Sequence, residues 1–175
     1  MRRPFVLALA AAVALAAAPI TLHAVDEAMP TVGQVAPTFT LPSQTGKRIS
    51  LKKYRGKWVV LYFYPRDMTT GCTIEAHNFE DSLSQFDAKN AVILGVSVDS
   101  TSMHQQFCAK DHLTFHLLSD TKHTVVGEYG SLTDYKGVPI AIRNTFLINP
   151  EGKIAQVWVH VDPHVAASEV LTAIP

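Results

Sequence analysis

One cysteine occupies a position in the sequence where its reactivity would be enhanced. Cys72 follows the polar segment 65–71, which comes directly after the apolar run Trp58–Tyr64. The run predicts a buried strand, and the residues after Cys72 predict an amphipathic helix. A thiol in the first helical turn lies at the positive end of the helix dipole, beside peptide N–H groups without helical acceptors. Because such an environment favours the nucleophilic thiolate, Cys72 is predicted to be a reactive cysteine.

The residues before Cys72 form a recognisable pattern. Pro65, Thr69 and Cys72 fill the spacing Pro-x-x-x-Thr-x-x-Cys. This pattern resembles the active-site motif of the peroxiredoxins, which are thiol-dependent peroxidases with a thioredoxin-like fold. The continuation 72–76 resembles the bacterioferritin-comigratory, or Q-type, branch of that family. The resemblance extends from about Val32 to the C-terminus.

The resemblance implies a role for each of five side chains. Cys72 would attack the peroxide and become a sulfenic acid. Arg143, at the start of a later predicted strand, would hold the thiolate and donate hydrogen bonds to the peroxide. Thr69 has a hydroxyl that can orient the peroxide, and Pro65 would shield the thiolate from water or act only structurally. Glu75 is expected to hold the loop or Arg143 and is not assigned a proton transfer.

The second cysteine of the chain is Cys108. Some Q-type proteins carry a resolving cysteine in the same helix as the peroxidatic one, but His77 stands at that position here. The resemblance therefore implies a redox disulfide between Cys72 and Cys108, while a buried cysteine packed beside Phe107 remains an alternative. We expect the two thiols to lie too far apart to bond in the reduced protein, so the turn around Cys72 would have to unwind.

The elements that position these residues alternate between strands and helices, which predicts an α/β fold. We expect a thioredoxin-like, three-layer sandwich with a central mixed sheet flanked by helices, formed by one domain over residues 25–175. The predicted order begins with a hairpin over 38–51, strand 58–64, a helix with Cys72 in its first turn that continues to 86, and strand 91–98. A helix that is opened by cap residues 99–101 follows, then strand 115–118, helix 120–129, loop 130–140, strands 145–148 and 154–159, and helix 162–173.

The first 24 residues predict export from the cytoplasm. Residues 1–3 are basic at two positions, Pro4–Ala18 is apolar, and Ala24 offers a small residue for cleavage. This is the layout of a signal peptide. A retained membrane anchor is the alternative, but the apolar run is shorter than the ~20 residues that a span needs. The mature protein is expected to begin near Val25 in a bacterial periplasm, with membrane contact only through the transient signal peptide.

Composition narrows the range of partners. The chain has 15 basic and 15 acidic residues among 175, so no excess charge favours nucleic acid. His112 and His116 could share a metal on one helix, but their segment crosses from helix to strand and no carboxylate or cysteine completes a set. We therefore expect no metal and no cofactor. The family resemblance implies a peroxide substrate and a thioredoxin-like or other thiol reductant, with a monomer expected and a dimer left open.

Two other classes of function remain open on the residues alone. A periplasmic thiol–disulfide oxidoreductase would share the fold, but the chain contains no Cys-x-x-Cys pair. A non-enzymatic domain stapled by a Cys72–Cys108 disulfide, or a periplasmic metal carrier, is the third class, because two cysteines in an exported protein usually form a structural bridge. Rapid thiol loss with one equivalent of hydrogen peroxide would distinguish the peroxidase.

Overall fold

Five strands form the central sheet of the computed structural model, which describes residues 29–175. The sheet order is β5-β4-β3-β8-β9, and two short hairpins, β1–β2 and β6–β7, lie outside it. The elements in chain order are β1 (Thr40–Pro42), β2 (Arg48–Ser50), a 3₁₀ helix (Leu51–Tyr54), β3 (Trp58–Phe63), α1 (Thr70–Asp81), α2 (Leu83–Ala88), β4 (Ala91–Ser97), α3 (Thr101–Asp111), β5 (His116–Ser119), α4 (Thr124–Glu128), β6 (Leu132–Tyr135), β7 (Val138–Ala141), β8 (Thr145–Ile148), β9 (Ile154–Trp158) and α5 (Ala166–Ala173).

The direction of the strands makes the sheet mixed and places the motif at one of its edges. β3, β4 and β5 run parallel, whereas β8 is antiparallel to both β3 and β9. The start of β8 therefore lies beside the end of β3, because Tyr62 pairs with Thr145. The loop from β3 to α1 and the residues just before β8 consequently meet at the same end of the sheet. The predicted central mixed sheet with flanking helices is confirmed.

The sheet is buried on both faces. Side chains of a strand alternate between faces, and those of β3 divide accordingly between two apolar clusters. The first cluster joins the sheet to α1, α3 and α5, and it includes Val60, Tyr62, Cys72, Phe107 and Val170. The second joins the opposite face to β1, the 3₁₀ helix and α4, and it includes Leu61, Phe63, Leu51, Val126 and Phe146. The three-layer arrangement thus follows from burial of both faces.

The helix predicted to run from Cys72 through Phe86 is in fact two helices. α1 ends at Asp81, and the peptide N–H of Ser82 donates to the carbonyl of Phe79, a tighter bond than the α-helical one. The chain then restarts as α2. The apolar periodicity continues across the break, because Phe79 and Phe86 still pack together with ring centroids 6.0 Å apart.

The segment 130–140 was predicted to be a loop, and this prediction is wrong. It forms the hairpin β6–β7, in which Asp134 pairs with Pro139. Lys136 and Gly137 connect the strands with φ angles of 55° and 83°, the left-handed backbone that suits a two-residue hairpin turn. The two-stranded hairpin has an open edge on each strand, so Pro139 is tolerated despite lacking an N–H group.

Two other helices begin later than expected. α4 starts at Thr124, although Asp120 does accept a hydrogen bond from the peptide N–H of Val126 in its first turn, at 2.8 Å. α5 starts at Ala166, after a turn in which the carbonyl of Asp162 accepts from the peptide N–H of Ala166. None of the helices within residues 29–175 has the length and apolar character needed to cross a membrane. The predicted signal peptide lies outside the described residues.

Candidate active site

Cys72 lies in the first turn of α1, as predicted. The helix begins at Thr70 with Thr69 in the N-cap position, so Cys72 is its third residue. The peptide N–H groups of this turn point toward the approach to the helix end. The residue is only 1% exposed, and its thiol is free. The site therefore holds a reduced sulfur at the positive end of a helix, shielded from bulk water.

Arg143 contacts this sulfur. Its Nη2 atom lies 3.4 Å from Cys72 Sγ, and its backbone carbonyl accepts a hydrogen bond from Val161 at 2.8 Å. Gly71 makes room for the guanidinium, because a Cβ atom at that position would lie 3.2 Å from Nη2. Sequence reasoning assigned no role to Gly71, although its position directly before the cysteine was visible. A fixed cation thus faces the thiol and can stabilise its anionic form.

Glu75 binds the other terminal nitrogen of Arg143. Its side chain is fully buried one turn after Cys72, and its Oε2 atom accepts a hydrogen bond from Arg143 Nη1. Burial raises the pKa of Glu75 to about 7, although Arg143 acts to lower it. Burial alone would lower the pKa of Arg143, but Glu75 and Cys72 raise it overall. The guanidinium is therefore fixed between a carboxyl group and a thiol.

Thr69 and Pro65 lie where the cysteine loop faces an open cavity. The hydroxyl of Thr69 donates to the carbonyl of Arg66 at 3.0 Å and makes no capping bond to the helix. Both residues line an open cavity of about 550 Å³, whose other wall is the hairpin β6–β7 with Tyr135, Val138 and Ile140. The cavity has a mainly apolar lining and leads to the loop that carries the cysteine motif.

Cys108 lies on α3 and is also free and largely buried. It belongs to the same apolar cluster as Cys72, on the same face of the sheet. Burial raises the pKa of Cys108 to about 12, and the carboxylates of Asp67 and Glu80 add to the increase. The thiol is therefore protonated, and a poor nucleophile, in this conformation.

A buried polar network beside the two cysteines was not predicted from the sequence. Tyr64 Oη donates to Asp67 Oδ1 at 2.7 Å, and His104 Nδ1 lies 2.8 Å from Asp67 Oδ2. All three residues are at most 3% exposed. Asp67 lies inside the cysteine motif and His104 shares a helix with Cys108, but only the fold shows that their side chains meet.

The other histidines do not converge. His112 ends α3 in the left-handed conformation with φ 55°, and His116 begins β5. His77 is half-exposed, and its Nε2 atom lies 3.2 Å from Asp111 Oδ1. Across residues 29–175, no group of three or more His, Cys, Asp or Glu side chains is arranged to hold a metal ion.

Comparisons with known proteins are consistent with this geometry. The model of the AhpC/TSA family matches residues 32–157. A putative peroxiredoxin Bcp of Coxiella burnetii is 49% identical over 144 residues, covering 77% of this chain and 93% of the relative. The solved structure of a Xylella fastidiosa PrxQ mutant superimposes with a TM-score of 0.79 at 34% identity, covering 83% of this chain and 95% of that one.

A further solved structure is named for its chemistry. It is the bacterioferritin comigratory protein of Xanthomonas campestris, described by its alkyl peroxide reduction activity and its trapped intermediate and ligand complexes. It superimposes with a TM-score of 0.77 at 35% identity, covering 82% of this chain and 97% of that one. The fold of the chain is therefore that of the thioredoxin-like peroxiredoxins.

Proposed function

The chain belongs to the AhpC/TSA family, where its relatives are peroxiredoxins of the Bcp and Q type, and it is a thiol-dependent peroxidase; we propose that Cys72 attacks the peroxide and that Cys108 resolves the product. One observation carries the first part of the proposal. Cys72 Sγ lies in the first turn of α1 with the guanidinium of Arg143 at 3.4 Å. A helix end and a fixed cation both favour the thiolate that peroxide chemistry needs.

In the proposed first step the thiolate of Cys72 attacks the terminal oxygen of a hydroperoxide. The O–O bond breaks, Cys72 becomes a sulfenic acid, and the departing oxygen leaves as water or an alcohol once it has taken a proton. Arg143 donates to the peroxide oxygens while Glu75 keeps its guanidinium in place. The hydroxyl of Thr69 orients the peroxide, and Pro65 limits access of water.

In the proposed second step Cys108 loses its proton and its thiolate attacks the sulfenic acid. A Cys72–Cys108 disulfide forms and water is released, after which a thioredoxin-like donor returns both sulfurs to thiols. The two cysteines are buried on different helices, with exposed fractions of 1% and 9%. The first turn of α1 and part of α3 must therefore open before the sulfurs meet, which also exposes the disulfide to a reductant.

The substrate range follows from the cavity beside Thr69. Its mainly apolar walls can accept the organic group of an alkyl hydroperoxide, and hydrogen peroxide needs no such contact. We include both hydrogen peroxide and organic hydroperoxides as substrates. The thiol–disulfide oxidoreductase alternative gains no support from the geometry, since Cys72 and Cys108 lie on separate helices rather than in one redox turn.

We also propose that the protein works in the periplasm. The support is the basic, apolar and small-residue layout of residues 1–24, with cleavage after Ala24. The reductant would then be a periplasmic thiol donor. Intact-mass measurement on a periplasmic extract should give an N-terminus at or near Val25. Recovery of the full-length chain from membranes would contradict cleavage of the signal peptide and support a retained anchor.

Rapid-quench mass spectrometry tests the two cysteine roles. Reduced protein given one equivalent of hydrogen peroxide should pass from a sulfenic acid to a Cys72–Cys108 disulfide. Cys72→Ser should leave peroxide unreacted. Cys108→Ser should stop at a sulfenic acid that dimedone traps, and it should over-oxidise readily. Normal turnover of Cys108→Ser with a thioredoxin-type donor would show that Cys108 is not the resolving residue.

A further inference from the structure

We propose that Tyr64, Asp67 and His104 are positioning residues that form a latch between the Cys72 loop and the Cys108 helix. The latch holds both segments in the conformation that reacts with peroxide, and its opening limits the rate of disulfide formation. The inference rests on the proposed function, since it requires Cys108 to be the resolving cysteine.

The latch connects the segments that must separate. Asp67 lies in the loop between β3 and α1 that also contains the cysteine motif, whereas His104 lies on α3. His104 precedes Cys108 by four residues, so the two lie on one face of that helix. The 2.8 Å contact between Asp67 Oδ2 and His104 Nδ1 therefore joins the two thiol-bearing segments directly.

The network is anchored to the sheet on both sides. Tyr64, directly after β3, donates its hydroxyl hydrogen to Asp67 Oδ1 at 2.7 Å. The peptide N–H of Asp67 donates to Asp99 Oδ2 at 2.8 Å, and Asp99 follows β4. Because Asp67 accepts from Tyr64, the geometry assigns the Nδ1 hydrogen of His104 to the second oxygen of the same carboxylate. The first turn of α3 cannot move away from the cysteine loop without breaking this bond.

Burial distinguishes the latch from the other links between α1 and the α3 region. The pair His77–Asp111 has a half-exposed histidine, and Glu80 binds Thr114 in a part-exposed position just after α3. Exposed pairs of this kind exchange readily with water and contribute little. His104 and Asp67 side chains have no exposure to solvent, so water cannot replace their bond until the helix has begun to move.

The same carboxylate also adds to the effect of burial that keeps the resolving thiol protonated in the closed conformation. Asp67 contributes, after burial itself, to the raised pKa of Cys108. A thiol held protonated cannot attack a sulfenic acid. Opening of the latch would move Cys108 away from Asp67 and into water, and both changes favour its thiolate. Release of α3 and activation of Cys108 are thus one event.

His104→Leu tests the latch, because it removes the bond and keeps an apolar side chain in the buried position. After one equivalent of hydrogen peroxide, the sulfenic acid of this variant should become the disulfide about tenfold faster, the factor expected for one hydrogen bond to a charged group. The peroxide concentration that over-oxidises half of Cys72 should rise by the same factor. His104→Asn retains a side-chain N–H near the Nδ1 position and should behave more like the wild type.

Two further variants keep the test decisive. Tyr64→Phe removes only a hydroxyl group and should accelerate disulfide formation in the same direction if His104→Leu does not fold. Val126→Ala shortens a buried side chain on the opposite face of the sheet and should destabilise the protein without changing the ratio of disulfide to over-oxidised product. The latch would be refuted if Val126→Ala changed the ratio of disulfide to over-oxidised product as much as the latch variants do. It would also be refuted if the latch variants left that ratio unchanged.

The wild-type reaction separates the two levels of the proposal. Absence of a Cys72–Cys108 disulfide in wild-type protein would refute the resolving role of Cys108, and the latch with it. Formation of that disulfide at a rate that His104→Leu and Tyr64→Phe leave unchanged would refute the latch alone and leave the peroxidase mechanism intact.

Discussion

At the scale of single residues, the site depends on how one guanidinium is shared. Arg143 contacts the thiol of Cys72 with one nitrogen and the carboxyl of Glu75 with the other. The planar fork of arginine allows both contacts at once, and a lysine could make only one of them well. Gly71 permits the close approach from the helix side. Small changes in any of these groups should therefore alter the thiolate population of Cys72.

Replacement of Arg143 is the first prediction. In Arg143→Ala alkylation of Cys72 by iodoacetamide at pH 7 should slow, because the sulfur loses its contact with a cation, and peroxide reduction should slow on the order of 100-fold, as for loss of one preorganised donor. Arg143→Lys should restore only part of the rate. Arg48→Ala is the matched control, since Arg48 is exposed on β2 and its guanidinium donates a hydrogen bond to the carbonyl of Thr40, away from the site. An alkylation rate of Arg143→Ala equal to that of the wild type would exclude this role.

The buried carboxyl group gives a second prediction, on stability against pH. Burial raises the pKa of Glu75 from 4.5 to about 7, so the stabilising contribution of its protonated form is full below pH 4.5 and is lost as pH rises through 7. Compared with Glu75→Gln, the wild type should therefore lose about 3 kcal/mol of its free energy of unfolding as the pH rises from 4.5 through 7. Urea unfolding of both reduced proteins at pH 4.5 and pH 8 measures the difference. If the difference in unfolding free energy between wild type and Glu75→Gln stayed constant with pH, the raised pKa of Glu75 would be contradicted.

At the scale of elements, the hairpin β6–β7 forms one wall of the cavity beside the cysteine loop. Its side chains are mostly exposed, and Tyr135 and Val138 are 59% and 45% accessible. Exposed apolar side chains that face a reactive centre provide burial for an apolar substrate. The hairpin would therefore contribute to the choice among hydroperoxides rather than to the chemistry itself.

The third prediction concerns this wall. The double variant Tyr135→Ser and Val138→Ser should lower kcat/KM for cumene hydroperoxide by about tenfold, because apolar contact area is lost. The value for hydrogen peroxide should stay unchanged, since that substrate has no apolar group. Leu132→Ser is the control: Leu132 is exposed on the same hairpin but does not line the cavity. Equal losses for both substrates would exclude a role in specificity.

At the scale of the whole molecule, each of the two apolar clusters that cover the sheet contains a buried tyrosine, and the two hydroxyl groups have different surroundings. Tyr62 stacks on Phe79 at a centroid distance of 4.7 Å and lies against Gly95, where a Cβ would come within 2.7 Å of its ring. Among the residues that the structure describes, Tyr62 Oη has no hydrogen-bond partner. Tyr129, on the opposite face, instead donates to the carbonyl of Pro37 at 2.8 Å.

This contrast gives the fourth prediction. Tyr62→Phe should leave the free energy of unfolding unchanged or raise it, because it removes an unpaired buried hydroxyl. Tyr129→Phe should lower it by about 1 kcal/mol, because a hydrogen bond is lost and a carbonyl is left unpaired. Denaturant unfolding of the two variants, each a loss of one oxygen from a buried ring, provides the comparison. A cost for Tyr62→Phe equal to that for Tyr129→Phe would show that the hydroxyl of Tyr62 is paired.

The sequence by itself determined what depends on neighbours along the chain. The apolar run of β3 and the helical periodicity after Cys72 are local patterns, and they were sufficient to predict a cysteine in a first helical turn. The α/β architecture followed from the alternation of such segments. The hairpin β6–β7 was missed because its signal, Lys136-Gly137 between short strands, was outweighed by Gly and Pro composition.

Only the tertiary structure decided which distant residues meet. The bond between Asp67 and His104 joins residues far apart in sequence, and so does the contact of Arg143 with Glu75. No periodicity encodes such pairs, because they depend on strand order and on the packing of helices against the sheet. The family resemblance suggests that Arg143 lies near Cys72 and that Glu75 holds either the loop or Arg143. That Glu75 is buried against Arg143, and that Asp67 links the two thiol-bearing segments, follows only from the folded chain, where burial makes these polar groups find partners in each other.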